Sequence, residues 1–188
     1  MQNLVRSFAG TDIPIVMSSL AQLPSVAVTY HKDEEIIIMT ANAENLKNMG
    51  KTLVEMYGID PENNRFNIVG CEDVPGFEAV ANGTKVDTVL VEPGVVAKAK
   101  EALIKYPKTK AFLFECTELP PYSDAVRMET GLPVFDAITC CTAIMSGFLD
   151  NKRFGRNKWQ KKWDKKQESY KYGQNLTEEE KKELVNKV

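Results

Sequence analysis

The sequence has few of the residues on which common enzyme classes depend. Its single histidine, His31, lies among Lys32, Asp33 and Glu34 and is predicted to be an exposed loop residue. A histidine-based zinc site or a Ser-His-Asp triad would rest on His31 alone, so both are set aside. Neither G-x-x-x-x-G-K-[ST] nor G-x-G-x-x-G occurs, so the recognisable phosphate cradles are missing as well. We therefore expect no metal and no cofactor.

Export and membrane signals are also lacking. The N-terminal residues 1–8 have no apolar core of signal-peptide length, and the longest apolar-leaning run, 137–149, is too short to span a bilayer. The four cysteines show no C-x-x-C spacing, which favours reduced thiols over disulfides. We therefore expect a cytoplasmic protein without a membrane partner.

Charge is distributed unevenly along the chain. Residues 150–188 hold 12 of the 24 Lys and Arg and 7 of the 26 Asp and Glu, a formal charge of +5, whereas the first 149 residues carry −7. Trp159, Trp163 and Tyr170 fall roughly on one predicted helical face of this tail, with lysines around the others. A basic, aromatic-rich helix can bind nucleic acid. Because the body is acidic and the aromatic spacing is that of a packing face, we expect a structural tail and no nucleic-acid partner.

Apolar runs and helical periodicities alternate along the first 149 residues. Residues 36–39, three isoleucines and a methionine, form the clearest buried strand. Pro93 is predicted in the first turn of a later helix, and Ser123 is predicted to cap another. This alternation predicts an α/β fold with a mainly parallel sheet. The predicted strands are 13–17, 35–40, 65–71, 111–114 and 134–135, and the predicted helices are 20–30, 44–57, 75–81, 93–106, 124–129 and 138–149.

The strongest functional signal follows the apolar strand at 111–114. Cys116, Thr117 and Glu118 come where that strand must end, and two prolines then prevent its continuation. Ligands of α/β proteins bind at the carboxyl ends of strands. Backbone N–H groups and a helix N-terminus at such a position favour a thiolate. Cys116 is therefore predicted to be a reactive thiol, against the plainer interpretation of a small apolar residue ending a strand.

Three separated segments resemble the aspartate/glutamate racemase superfamily. They are IPIVMSSL at 13–20, IIMTANA at 37–43, and ECTELPPY at 115–122 followed by ETGLPVFD at 129–136. The resemblance covers about residues 1–149. It implies a parallel-sheet, racemase-like fold of two pseudo-symmetric lobes. It also implies a cofactor-independent isomerase that moves a proton on a small amino acid or carboxylic acid between two cysteines.

The resemblance also implies roles for residues around Cys116. Cys116 would be the acid/base of the second lobe, the N–H and hydroxyl of Thr117 would hold the substrate carboxylate, and Glu118 would orient groups beside the thiol. The plainer alternatives are that Thr117 caps a turn and that Glu118 is a surface charge.

Other matched positions lie at earlier strand ends. Thr40 and Asn42 match a substrate-holding segment, and Ser18 and Ser19 end a first-lobe strand that faces the cleft. Either serine could instead be the N-cap of the helix that follows. Cys71 ends a strand without a polar cluster beyond Glu72 and Asp73, and is a weaker candidate. Cys140 and Cys141 lie on an apolar helix and are interpreted as packing residues.

One feature departs from the family. Its first catalytic cysteine precedes the segment matched by 13–20, but here none of the twelve preceding residues is cysteine. We therefore expect a truncated first lobe: 1–28 as its remnant, 29–122 as the second lobe, 123–149 as the return to the first lobe, and 150–188 as a basic helical tail. An incomplete sheet leaves an exposed edge, which predicts a homodimer.

Three functions remain open. The first is a racemase-family protein that acts on or binds a small amino acid or carboxylic acid through cysteine acid/base chemistry. The second is a decarboxylase-like enzyme that uses Cys116 alone to protonate a carbanion. The third is a catalytically silent binding or assembly protein of the same fold.

The tail generates a first prediction. If Trp159 and Trp163 pack on the body, ending the chain at Leu149 removes a few kcal/mol of apolar burial, and the melting temperature should fall by several degrees. Thermal unfolding of the full and shortened chains measures this difference. An unchanged melting curve would make the tail a free appendage and support the nucleic-acid interpretation.

Overall fold

The computed structural model describes residues 15–58 and 64–149, together with Val5, Gly10, 177–179 and Lys182. The chain divides into two compact units, Met1–Phe148 and Leu149–Val188. In the second unit, residues 178, 179 and 182 are helical, and Trp159, Trp163 and Tyr170 lie outside the described residues. The four-part division of the chain stays a prediction.

Helices precede and separate the strands of the first unit. A 3₁₀ turn over Ser19–Gln22 leads into α1 (Leu23–Ala27). The elements that follow are β1 (Glu35–Thr40), α2 (Ala43–Asn48), α3 (Gly50–Tyr57), β2 (Phe66–Gly70), α4 (Glu78–Ala81), α5 (Thr88–Lys105) and β3 (Thr109–Phe114). A second 3₁₀ turn over Pro120–Tyr122 then precedes α6 (Ser123–Thr130), β4 (Val134–Phe135) and α7 (Ala137–Ser146).

The four strands of the described chain form one sheet in the order β2-β1-β3-β4. Every neighbouring pair is parallel. Thr40 at the end of β1 pairs with Gly70 at the end of β2, and Met39 pairs with Phe114 at the end of β3. The predicted α/β class with a parallel sheet is confirmed, and these three strands end side by side.

Both faces of the sheet are covered. Ile37, Met39, Phe112 and Phe114 pack on one face with apolar residues of α5 and α6. On the other face, Ile36 and Ile38 of β1 pack with residues from α1, α2 and α3. Residues 36–39 are fully buried, and each such side chain contributes about 1.5–3 kcal/mol. Burial on both faces explains why β1 lacks the alternating pattern of a half-exposed strand.

Several predicted helices differ in their bounds from the observed ones. The 20–30 helix is a 3₁₀ turn followed by α1, which ends at Ala27, and the 75–81 helix begins only at Glu78. The 44–57 helix is divided at Met49, which is the C-cap of α2, and Gly50 begins α3. Helix α5 begins at Thr88, where Asp87 accepts hydrogen bonds from the N–H groups of Val89 and Leu90. Pro93 therefore lies inside α5, because a good cap upstream outweighs the proline signal.

Two predicted local structures are corrected. Residues 15–17 are irregular rather than part of a strand, and 13–14 lie outside the described residues. Ser123 is not the N-cap of α6, because the second 3₁₀ turn runs directly into that helix and Ser123 is its first residue. Its Oγ instead donates a hydrogen bond of 2.6 Å to the buried Asp136 carboxylate.

Asp136 joins the ends of several elements. Its carboxylate caps α7 by accepting from the Thr139 N–H at 2.8 Å, and its own N–H donates to Thr139 Oγ1 at 2.7 Å. Gln22 Nε2, in the first 3₁₀ turn, donates to the Asp136 carbonyl at 2.8 Å. This network attaches the chain before β1 to β4 and α7.

None of the helices in the described part of the chain is long and apolar enough to cross a membrane.

The Asp136 network generates a second prediction. Asp136→Ala removes the cap of α7 and leaves Ser123 without an acceptor, so unfolding should become easier by about 2–3 kcal/mol. Asp124→Ala is the matched control, since Asp124 is exposed and pairs with Arg127 of the same helix; its cost should stay below about 1 kcal/mol. Urea unfolding of both variants tests this, and equal losses would contradict a structural role for the network.

Candidate active site

The carboxyl ends of β1, β2 and β3 bring the main candidate residues together. The Cys71 N–H donates to the Thr40 carbonyl at 2.9 Å, and the Glu115 N–H donates to the Met39 carbonyl at 2.7 Å. These bonds extend the strand pairing by one residue on each side of β1. Cys71 and Cys116 are consequently close enough for the charge of one to act on the other.

Cys116 is half-buried beside the end of β1. Burial raises the pKa of its thiol, and this is the largest influence. The N–H groups of Glu118 and Ala41 donate to the sulfur and oppose the rise in pKa, whereas the charges of Glu115 and Glu118 add to it. The sequence predicts surroundings that lower the pKa of Cys116. That prediction is wrong, because the surroundings raise the pKa. The predicted N–H groups are present, but loss of solvent outweighs them.

Glu115 is a candidate site residue that the sequence interpretation misses. Its half-buried carboxylate accepts a hydrogen bond of 2.8 Å from Thr40 Oγ1. Thr40, expected to hold substrate, is itself buried and engaged in this bond. Glu115 directly precedes Cys116, and its charge acts on the thiol. The position directly after an apolar strand is the signal by which Glu115 could have been found.

The two serines have different roles in the described structure. Ser18 is the cap of the first 3₁₀ turn, accepting from the Leu20 N–H at 3.2 Å, as the plainer alternative expects. Ser19 is buried and donates to the Phe114 carbonyl at 2.7 Å and to the Glu115 carbonyl at 3.4 Å. Ser19 thus braces the end of β3. Substrate contact by either serine stays a prediction.

The remaining predicted binding residues lie at the rim of the candidate site, on the segments that follow the ends of β1 and β3. Asn42 caps α2 by accepting from the Asn45 N–H at 2.8 Å. Thr117 and Glu118 are exposed on the loop that carries Cys116. Their predicted contacts with substrate are untested, but both lie within two residues of the thiol.

Two buried groups accompany the thiol. Cys71 is fully buried, and burial, followed by the charge of Cys116, raises its pKa to about 12. It therefore remains a protonated thiol at neutral pH. The Tyr122 hydroxyl is buried without a hydrogen-bond partner in the described structure. Burial, followed by the charge of Glu118, raises the pKa of Tyr122.

The other cysteines lie on α7. Cys140 is buried, in agreement with a packing role, whereas Cys141 is exposed and does not pack.

A separate open groove of about 480 Å³ lies between β2 and α5, lined by residues that include Glu72, Asp73 and Lys98. It contains none of the predicted site residues. No group of three metal-ligating side chains occurs within the described ranges.

Comparisons with known proteins correct the expected activity. No protein-family model matches the chain. The chain is 53% identical over 189 residues to dimethylsulfoniopropionate lyase 7 of Emiliania huxleyi (strain CCMP1516), a match that covers 98% of this chain and 55% of that protein. It is 47% identical over 171 residues to a dimethylsulfoniopropionate lyase of Durusdinium sp. clade D, covering 91% of this chain and 57% of that protein.

This chain is similar to dimethylsulfoniopropionate lyases. It spans about half the length of these relatives. The solved allantoin racemase of Pseudomonas fluorescens aligns with 69% of this chain and 50% of its own, at 16% identity and a TM-score of 0.44. At that level the likeness says nothing about activity.

The expected aspartate/glutamate racemase is therefore wrong. Relatives that are 50–53% identical to this chain over 98–99% of its length are named lyases, not isomerases. The single-cysteine alternative is closer, because a decarboxylase is also a lyase. The structural reason for the error is that a thiol at a strand end can remove a proton in either kind of reaction.

The thiol environments generate a third prediction. Of the four cysteines, Cys141 alone is exposed, so iodoacetamide should modify Cys141 fastest at neutral pH and leave buried Cys71 unmodified. Cys116 should react slowly at neutral pH and accelerate above the ordinary thiol pKa of about 8.5, because only the thiolate reacts. Site-resolved mass spectrometry across a pH series measures these rates. A Cys116 rate that levels off below that pH would contradict a raised pKa.

Proposed function

We propose that this chain itself carries dimethylsulfoniopropionate lyase activity, with the Cys116 thiolate as the base. The observation that carries the proposal is the 53% identity to such a lyase over 98% of the chain. A half-buried thiol at the common end of three parallel strands supplies a suitable group. The activity and the substrate both belong to the proposal.

The reaction is a β-elimination. The substrate carries a sulfonium group on the carbon next to the carbon that bears the carboxylate. The Cys116 thiolate takes a proton from that latter carbon, the C–H electron pair forms the new double bond, and the C–S bond breaks. Dimethyl sulfide leaves with the C–S electron pair. The products are acrylate, dimethyl sulfide and a protonated Cys116, which then returns its proton to solvent.

This elimination requires fewer acid and base groups in the active site than racemisation does. Racemisation requires a base and an acid on opposite faces of one carbon. A sulfonium leaves as a neutral sulfide, so no acid has to protonate it. One thiolate base therefore suffices for the bond changes, and Cys116 is such a base.

The other expectations fit around this chemistry. We propose that the Thr117 N–H and hydroxyl hold the substrate carboxylate at the rim, assisted by Asn42. A thiol base needs a reducing environment, which supports a cytoplasmic location. A homodimer and the lack of a nucleic-acid partner stay predictions.

The fourth prediction concerns activity. Cys116→Ala should lower release of dimethyl sulfide from dimethylsulfoniopropionate by about 10²–10⁴-fold, because the proton acceptor is lost. Cys141→Ala, at the exposed cysteine of α7, is the matched control and should retain activity. Gas chromatography of the sulfide and NMR of acrylate measure the two products. Lack of turnover by the purified chain, or full activity of Cys116→Ala, would overturn the proposal.

The pH profile of the reaction is the fifth prediction. A base must be deprotonated, and burial raises the pKa of Cys116. The value of kcat/KM should therefore increase with pH through neutrality and level off only above the ordinary pKa of a thiol, about 8.5. Initial rates of acrylate formation between about pH 6 and about pH 10, on both sides of the ordinary thiol pKa, supply the profile. A profile that is already flat at neutral pH would contradict Cys116 as the base.

A further inference from the structure

The charges beside Cys116 are unbalanced. Glu115 directly precedes the cysteine and Glu118 follows two residues later. Within the described ranges, neither carboxylate belongs to a salt bridge. The catalytic state adds a third negative charge, the thiolate. Like charges held close in a partly desolvated site favour entry of a cation.

Only one of the two carboxylates is held in place by hydrogen bonds in the described structure. Thr40 Oγ1 donates to Glu115 Oε2 at 2.8 Å, the Glu115 N–H is paired with the Met39 carbonyl, and Ser19 Oγ lies 3.4 Å from the Glu115 carbonyl. Glu115 is half-buried, whereas the Glu118 side chain is exposed. A fixed, partly dry carboxylate binds a cation with more selectivity than an exposed one.

Glu115 and Cys116 both contact the end of β1, on successive residues. The Glu115 carboxylate binds the hydroxyl of Thr40, and the Cys116 sulfur accepts from the N–H of Ala41. The charge of Glu115 also acts on the Cys116 thiol. The carboxylate and the proposed base therefore lie within electrostatic range of each other at the end of β1. A substrate whose acidic C–H lies next to a carbon bearing a cation has the matching arrangement.

We propose that Glu115 is a specificity-determining residue whose carboxylate, oriented by Thr40, receives the onium group of the substrate. The site then selects zwitterions that carry a sulfonium or quaternary ammonium group next to the reacting carbon, and rejects dicarboxylates. This inference rests on the proposed function. The bound cation also offsets the two carboxylates, so substrate binding itself promotes formation of the Cys116 thiolate.

The test uses the purified full chain and an unreactive probe, 3-(trimethylammonio)propionate, compared with succinate. Calorimetry measures binding, and ultraviolet absorbance of the thiolate, taken as the difference from Cys116→Ser, measures the Cys116 titration. The wild-type chain should bind the ammonium probe and not succinate, and the probe should move the Cys116 titration to lower pH. Glu115→Gln should weaken binding of the probe about tenfold, the effect of losing one charge-assisted contact, and abolish this movement.

Glu118→Gln is the matched control, because it removes the other flanking charge. It should lower the Cys116 titration in the free chain yet keep the movement caused by the probe. The assignment of Glu115 would be overturned if both variants changed the affinity for the probe and the probe-induced shift of the Cys116 titration equally. It would also be overturned if succinate bound as strongly as the ammonium probe.

The outcomes separate this inference from the proposed function. If Glu115→Gln releases dimethyl sulfide with an unchanged KM, the proposed lyase activity is supported and the proposed role of Glu115 is overturned. Probe binding that depends on Glu115, in a chain that releases no dimethyl sulfide, would support the onium site and overturn the lyase.

Discussion

Strand β1 is buried on both faces of the sheet, and the geometry of the site follows from that burial. Residues 36–39 are fully buried, and β1 lies between β2 and β3. The end of β1 therefore lies in the middle of the candidate site. Thr40 binds Cys71 through its carbonyl and Glu115 through its hydroxyl, and Ala41 donates to Cys116. A shift of this one strand would change the surroundings of both cysteines.

Partial burial then determines the chemistry that suits Cys116. Loss of solvent and two flanking carboxylates disfavour the thiolate, while two N–H groups support it. Such a thiol is a poor resting nucleophile but a strong base once deprotonated. A cationic substrate compensates for the surrounding negative charge, and its sulfide leaving group needs no acid. The proposed elimination therefore suits these surroundings better than a reaction on a dicarboxylate does.

Local patterns predict the parts of the fold that carry a strong local signal. The predicted bounds of β1 are correct, because an uninterrupted apolar run between polar ends has few other interpretations. The single predicted helix over 44–57 is wrong at Met49, and the predicted start of α5 at Pro93 is too late. In both cases a cap or break that depends on the path of the chain outweighs periodicity.

Neighbouring residues along the chain are enough to specify the α/β alternation, the position of Cys116 at the end of a strand, and its polar neighbours Thr117 and Glu118. The direction of the thiol's pKa shift, the bond between Thr40 and Glu115, and the bracing of β3 by Ser19 follow only from tertiary packing. The bonds that join these residues span 75 and 95 positions of the chain. Desolvation and charge depend on which distant segments pack together, and local sequence patterns do not carry that information.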